Sequence, residues 1–269
     1  MNIGSLTVGG IVNNVKVFTD ILMPGVKHMR HTFLPDHKFV KGQPENGEEL
    51  ANDLENIAND IGGENIAACV VEPIAGSTGV LIPPKGYLQR LRKICDKYGI
   101  LLIFDEVVTG WGRTGSAFAA QEFEVTPDII TMAKATTNGI VPMGVVAVRE
   151  KIYDQVMDAS PDGAIELFHG YTYSGIPVAV SAALAVQEIF EKEDIFNRVK
   201  KISSYFEEGL HSLKDIECVE SIRNYGLLGG VDIKMNVKPG KAGFQVYNCL
   251  LFTSPSPRDQ RGAGMACWG

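Results

Sequence analysis

Apolar residues fall into two rhythms along this chain, and the change from one to the other outlines its elements. Tyr87 to Tyr98 sets Leu88, Leu91, Ile94, Cys95 and Tyr98 at helical spacing, and Gly99 follows as a stop. Glu48 to Asp60 reads as a further helix, ending at Gly62-Gly63. Around them lie short apolar runs: Ile66 to Glu72 (IAACVVE), bounded by Pro73 and Gly76, then Ile100 to Phe104 (ILLIF), Asp128 to Met132, and Gly144 to Val148. Such runs are buried strands, and their alternation with helices predicts an α/β fold, a mostly parallel sheet with helices on both faces. The first 60 residues are loop-rich, punctuated by Asp36, Pro44, Asn46 and Gly47.

From Pro177 the pattern shifts. Val178 to Phe190 is an alanine-rich helix, and Ile195 to Leu213 is another, with Ile195, Val199, Ile202, Phe206, Leu210 and Leu213 on one stripe. Glu217 to Arg223 and Gly229 to Ile233 read as strands around Asn224-Tyr225-Gly226, the opening of an α+β unit. The chain therefore divides into 1–190, part of a large domain; 191–248, the start of a small domain; and 249–269. That last piece stands apart. Leu250 to Gly269 (LLFTSPSPRDQRGAGMACWG) has two Ser-Pro steps and no periodicity. The segment CLLFTSPSPRD resembles the conceptual translation of a sequencing adapter, CLLYTSPSPRD in one frame. The expectation is that natural sequence stops near Asn248 and that 249–269 is a non-native tail; a natural disordered tail is the alternative.

Composition narrows function by exclusion. Hydrophobic residues make up 45% of the 269 and charged ones 21%, enough apolar surface for a sizeable core. Lys plus Arg is 25 against 32 Asp plus Glu, a net charge of −7, so no basic stripe invites a nucleic acid. No apolar run approaches the roughly 18–20 residues of a membrane span, so no membrane partner is expected. Met1 to Gly10 lacks the basic and apolar regions of a secretory signal. Cysteines at 69, 95, 218, 249 and 267 show no paired spacing, which predicts reduced thiols and a cytoplasmic protein.

Candidate chemistry begins at ILLIFDEVVTGWGRTG, residues 100–115, where an apolar strand ends in Asp105-Glu106. Ligands of open α/β sheets sit outside the carboxyl ends of strands. Three readings compete. A nucleotide-hydrolase metal carboxylate needs a G-x-x-x-x-G-K-[ST] loop, and the sequence has none. A dinucleotide fingerprint could be read in Gly110, Gly112 and Gly115, but these come late and Asp-Glu intervenes. In the third, the carboxylate faces the ring nitrogen of a pyridine cofactor, which calls for a lysine. Lys134, in DIITMAKATTNG, follows Asp105 by 29 residues, about one strand–helix–strand unit. Apolar residues precede it, which predicts an amine near the core, and a desolvated amine attacks aldehydes readily. A surface salt bridge is the plainer role for such a lysine. His28-x-x-His31 with Asp36-His37 lies in a Pro-broken loop, and no metal site is expected there.

VEPIAGSTGVLIPPKGYLQRLRKICDKYGILLIFDEVVTGWGRTG, PDIITMAKATTNGIVPMG and FHGYTYSGIP, in this order and spacing, resemble class III aminotransferases, which are fold type I pyridoxal-phosphate enzymes. Within these, the omega-amino-acid:pyruvate (β-alanine:pyruvate) transaminases are the most similar. The resemblance runs from about Val8 to Asn248. It implies that Lys134 bonds to the aldehyde of pyridoxal 5′-phosphate and serves as the proton-transfer base, and that Asp105 pairs with the ring nitrogen. It implies that Val107, otherwise a plain core valine, packs on a ring face, and that Glu72 lies near Asp105 and is hydrogen-bonded. It also implies a homodimer in which Thr172 contacts the cofactor phosphate of the partner subunit; by itself Tyr171-Thr172-Tyr173 reads as an exposed turn. The implied substrates are an ω-amino donor and pyruvate.

Departures remain. The family usually has Gly-His-Pro where Gly175-Ile176-Pro177 stands here. Its phosphate cup, its ring-stacking aromatic and its carboxylate-gripping arginine fall outside this sequence, so the chain reads as an internal fragment. Other donors (taurine, a diamine, 4-aminobutyrate), an aminomutase, and an inactive dimerisation module are the alternatives.

Overall fold

The computed structural model describes residues 3–165, 167, 170, 172–234 and 241–253. Two short helices, α1 (Ile3–Gly9) and α2 (Val12–Val15), precede a long loop. Helix α3 (Glu48–Ile61) opens with Glu48 and Glu49, whose charges suit the amino end of a helix, and buries Leu50, Ala51, Leu54 and Ala58. Strand β1 (Ala68–Val71) follows, and then α4 (Tyr87–Tyr98), which buries Leu88, Leu91, Ile94 and Cys95. It ends where Gly99, at φ 70°, donates its N–H to the Cys95 carbonyl, a left-handed conformation that glycine adopts without a Cβ penalty.

β1 pairs in parallel with β2 (Leu101–Asp105), and β2 in parallel with β3 (Ile129–Met132). The short helix α5 (Ala119–Glu122) lies between β2 and β3 in the chain. The link from Met132 to Val145 is taken up by a turn at Lys134–Thr136 and holds no crossover helix, so β4 (Val145–Val148) returns antiparallel beside β3. Helix α6 (Glu150–Asp158) follows. The sheet is mostly parallel, in the order β1-β2-β3-β4.

Side chains alternate across this sheet. Cys69 lies beside Leu102, and Val71 beside Phe104. These four face α3 and α4, in a core with Leu50, Leu54, Leu88 and Leu91. The opposite face is only partly covered by the described residues: Val70, Leu101, Val148 and above all Val146, at 64%, are exposed.

Beyond α7 (Pro177–Lys192) and α8 (Ile195–His211), β5 (Val219–Tyr225) and β6 (Leu228–Ile233) form an antiparallel hairpin. Asn224 and Tyr225, read from the sequence as the link, belong to β5. Asn224 is accepted in a buried strand position because Glu207 and His211 of α8 hydrogen-bond its side-chain amide at 2.9 and 2.8 Å. On the α8 stripe Val199 is buried, whereas Ile202 is exposed at the rim of an apolar groove of about 410 Å³ with Phe206, Leu210 and Leu213. Helix α9 (Lys241–Thr253) runs past the Asn248 boundary read from the sequence; the rest of the expected tail, 254–269, lies outside the described residues.

Asp128 ties the start of β3 to β2 and α4. It accepts hydrogen bonds from the Leu102 N–H at 2.8 Å and from Arg92 Nη1 at 2.7 Å, with Arg149 Nη1 at 3.4 Å. Burial pulls its carboxyl up, but the Leu102 amide and the Arg92 guanidinium outweigh that and hold it below the ordinary range. Asp128→Ala is expected to cost about 2–3 kcal/mol in urea unfolding at neutral pH, the scale of losing hydrogen bonds to a charge. Because the folded carboxyl is the more acidic one, this stabilisation is complete above about pH 4 and is lost as the pH falls through the lower folded value. The gap between parent and variant should therefore close in acid.

Candidate active site

Three strand ends converge at one edge of the sheet. Val71 stands opposite Phe104, so Glu72 and Asp105 follow side by side on neighbouring strands. Asp105 stands opposite Thr131 on β3, three residues before Lys134. Asp105 Oδ1 accepts the Val107 N–H at 3.0 Å, and Glu72 Oε2 accepts the Gly76 N–H at 2.9 Å. Burial pushes the Glu72 carboxyl up; the Gly76 amide opposes the rise, the negative charge of Asp105 adds to it, and the Lys134 ammonium offsets it. Glu72, Asp105 and Lys134 thus share one electrostatic neighbourhood.

Lys134 itself is exposed, which corrects the expectation of an amine near the core. After Met132 the backbone leaves the sheet, and the turn at Lys134–Thr136 puts Ala135, Thr136 and Thr137 inside instead. Lys134 takes a φ of 48°, left-handed for a residue with a side chain. Val107 is half-buried beside Asp105. Thr172 is in an exposed turn and makes no hydrogen bond among the described residues.

The acidic pair of the sequence is split. Glu106, 0% exposed, turns away from Asp105 into the protein and accepts hydrogen bonds from Thr109 Oγ1 and from the N–H groups of Ala119 and Ala120 at 2.7–2.9 Å. It caps α5 and anchors the loop between them. The glycine pattern opens no helix, since α5 starts only at Ala119. His28 is engaged by the carbonyls of Thr7 and Val8, and His37 by the Leu34 N–H.

Glu72 is hydrogen-bonded as expected, and the structure identifies the donor as the Gly76 N–H. A contact the sequence does not foresee is Trp111 Nε1 donating to Thr136 Oγ1 at 3.0 Å. The available signal was the chemistry of the residues: an indole N–H that leaves water needs an acceptor, and two threonines stand two and three residues after the lysine.

These residues fit the ring nitrogen and aldehyde of pyridoxal 5′-phosphate. Neither Asp105 nor Glu72 forms an ion pair within 4 Å among the described residues, and each accepts only one backbone N–H. The two carboxylates therefore leave acceptor capacity for a ring N–H, and an exposed amine stands close by.

The family model of class-III aminotransferases matches residues 3–248. An omega-aminotransferase of Caulobacter vibrioides is 53% identical over 232 residues, covering 86% of this chain and 52% of that protein. A beta-alanine–pyruvate aminotransferase of Pseudomonas aeruginosa is 44% identical over 254 residues, covering 92% of this chain and 56% of that one. A solved structure described as a transaminase with L-ala superposes with a TM-score of 0.83 at 31% identity, over 93% of this chain and 60% of that chain. The chain spans about half the length of the curated relatives it matches. With a lysine and two carboxylates at neighbouring strand ends, and a match over nearly all of the described sheet and hairpin, this chain belongs to the class-III aminotransferase family.

Proposed function

We propose that this chain carries the centre of a pyridoxal-phosphate-dependent aminotransferase that moves an amino group from an ω-amino acid or amine, such as β-alanine, to pyruvate. The observation that carries the reading is the meeting of Lys134, Asp105 and Glu72 at adjoining strand ends. The names of the two relatives support the donor and the acceptor. Pyridoxal phosphate supplies an aldehyde that captures amines and a ring that spreads the charge of a deprotonated carbon.

Lys134 Nζ would hold the cofactor covalently at rest. The same nitrogen would also serve as the base that takes up and returns a proton at Nζ. Its exposure suits a group that donor and acceptor must reach in turn. Asp105 would keep the ring nitrogen protonated, since a carboxylate favours the charged form of its partner. Val107 is assigned to a ring face, and Thr172 to the cofactor phosphate of the partner subunit in a homodimer. Cys69, Cys95 and Cys218 are in no disulfide, which supports a cytoplasmic setting.

Two measurements test this in the full-length protein. Borohydride treatment after addition of pyridoxal phosphate should leave a reduced adduct that peptide mapping places on Lys134; an adduct on Lys85 or Lys151 instead overturns the assignment. Lys134→Ala should lose both the adduct and turnover with β-alanine and pyruvate. Asp105→Asn should retain the adduct yet lower kcat by about 10²–10³, the scale of removing one preorganised electrostatic partner. Turnover near the parent value would remove Asp105 from that role.

A further inference from the structure

A left-handed backbone at a lysine, φ 48° at Lys134, is strained and persists only where neighbours over-determine it. Around Lys134 the neighbours are identifiable. The Ala133 carbonyl accepts both the N–H and the hydroxyl of Thr136, each at 3.0 Å. The Lys134 carbonyl accepts the N–H groups of Thr137 at 3.4 Å and Gly139 at 3.2 Å. Thr137 Oγ1 donates to the Val141 carbonyl at 2.6 Å. Thr136 and Thr137 are both buried.

The Thr136 N–H closes this turn once; the hydroxyl has one hydrogen, and its direction decides whether the turn is closed a second time. Trp111 Nε1 donates to Thr136 Oγ1 at 3.0 Å, occupying an acceptor position so that the hydroxyl hydrogen is left for Ala133. Trp111 is itself held. Its ring lies 5.2 Å from Phe118 and is stacked 6.2 Å from Phe190, which stacks in turn on Phe196 at 5.4 Å with an interplanar angle of 8°. Gly112, at φ 97°, lets the loop approach this stack: a Cβ there would stand 2.9 Å from Phe196 Cδ1. Phe190 belongs to α7 and Phe196 to α8.

From this geometry we propose that Trp111 is a positioning residue for Lys134: its indole N–H, clamped between Phe118 and Phe190, orients the Thr136 hydroxyl that closes the Lys134 turn and so aims Nζ. The proposal rests on the reading of Lys134 as the cofactor lysine. It makes the helices that lead into the small domain part of what holds the lysine in place.

The test uses Trp111→Phe, which keeps a ring and drops the N–H; Thr136→Val, which keeps the shape and drops the hydroxyl; and Thr136→Ser, which keeps the hydroxyl. The first readout needs no cofactor. Amide hydrogen exchange at Thr136, Thr137 and Gly139 should quicken about tenfold in Trp111→Phe and Thr136→Val and stay at the parent rate in Thr136→Ser, with β2 and β3 unchanged. The second is the absorbance titration of the Lys134–cofactor link together with its rate of formation. Both should move in the same two variants, the midpoint by about half a pH unit or more and the rate about tenfold, and the double variant should be no worse than either single one. Unchanged exchange in Trp111→Phe overturns the proposal. So does quickened exchange with an unmoved titration and rate, which would leave Trp111 a support of the fold alone. If the unsubstituted protein links pyridoxal phosphate at another lysine or at none, the cofactor assignment falls first, and the parent protein reports that before any variant is compared.

Discussion

Burial of Leu102 and Phe104 beneath α4 is the constraint from which the sheet edge follows. Both side chains are fully buried, and each is worth about 1.5–3 kcal/mol relative to exposure. A strand has a period of two, so seating these residues in the core turns Ile103 and Asp105 to the other face. A slip of one residue would put Asp105 in the core and Phe104 out of it. The position of Asp105 is therefore enforced by its apolar neighbours: among the described residues its own carboxylate accepts one hydrogen bond, from the Val107 N–H. Parallel pairing carries the same logic to β1, where Val71 beside Phe104 brings Glu72 out next to Asp105.

Once the strand has ended, alternation no longer governs, and hydrogen bonding takes over. Glu106 is buried although a buried carboxylate is costly, because Thr109, Ala119 and Ala120 supply donors to it. Burial still pushes its carboxyl up against those donors. The result is an anchored loop that carries Trp111 towards Thr136. Trp111 joins that loop to the Phe190 ring of α7 and to Thr136, in the turn where Lys134 takes a backbone conformation that its own sequence disfavours.

The hairpin is tied to the loop after β1 and to the long first loop by Arg223, which is buried in β5. Its Nε and Nη2 donate to the Gly79 carbonyl at 2.9 and 2.7 Å, Nη2 reaches Asp232 Oδ1 at 2.9 Å, and the guanidinium lies 4.7 Å over the Phe33 ring. Such a fork of donors is satisfied only when the loop after β1, the long first loop and both strands of the hairpin are in place, so the cation doubles as a check on docking. The open side of the sheet and the α8 groove have no comparable closure among the described residues.

Much of this was legible in the sequence because the signals are local. The stripe of α4 and its glycine stop, the apolar runs that become β1 to β3, and the strand-end placement of Glu72, Asp105 and Lys134 depend on periodicity within a dozen residues or on parallel order. The three motifs supplied the family. What only the tertiary structure decided is where neighbouring side chains turn once regular structure stops. Glu106 goes inward to cap α5 while Asp105 faces out, Lys134 is exposed while the threonines after it are buried, and Trp111 reaches Thr136 across 25 residues. These choices rest on hydrogen-bond partners that are distant in the chain, and no period along the sequence encodes a partner that only folding brings near.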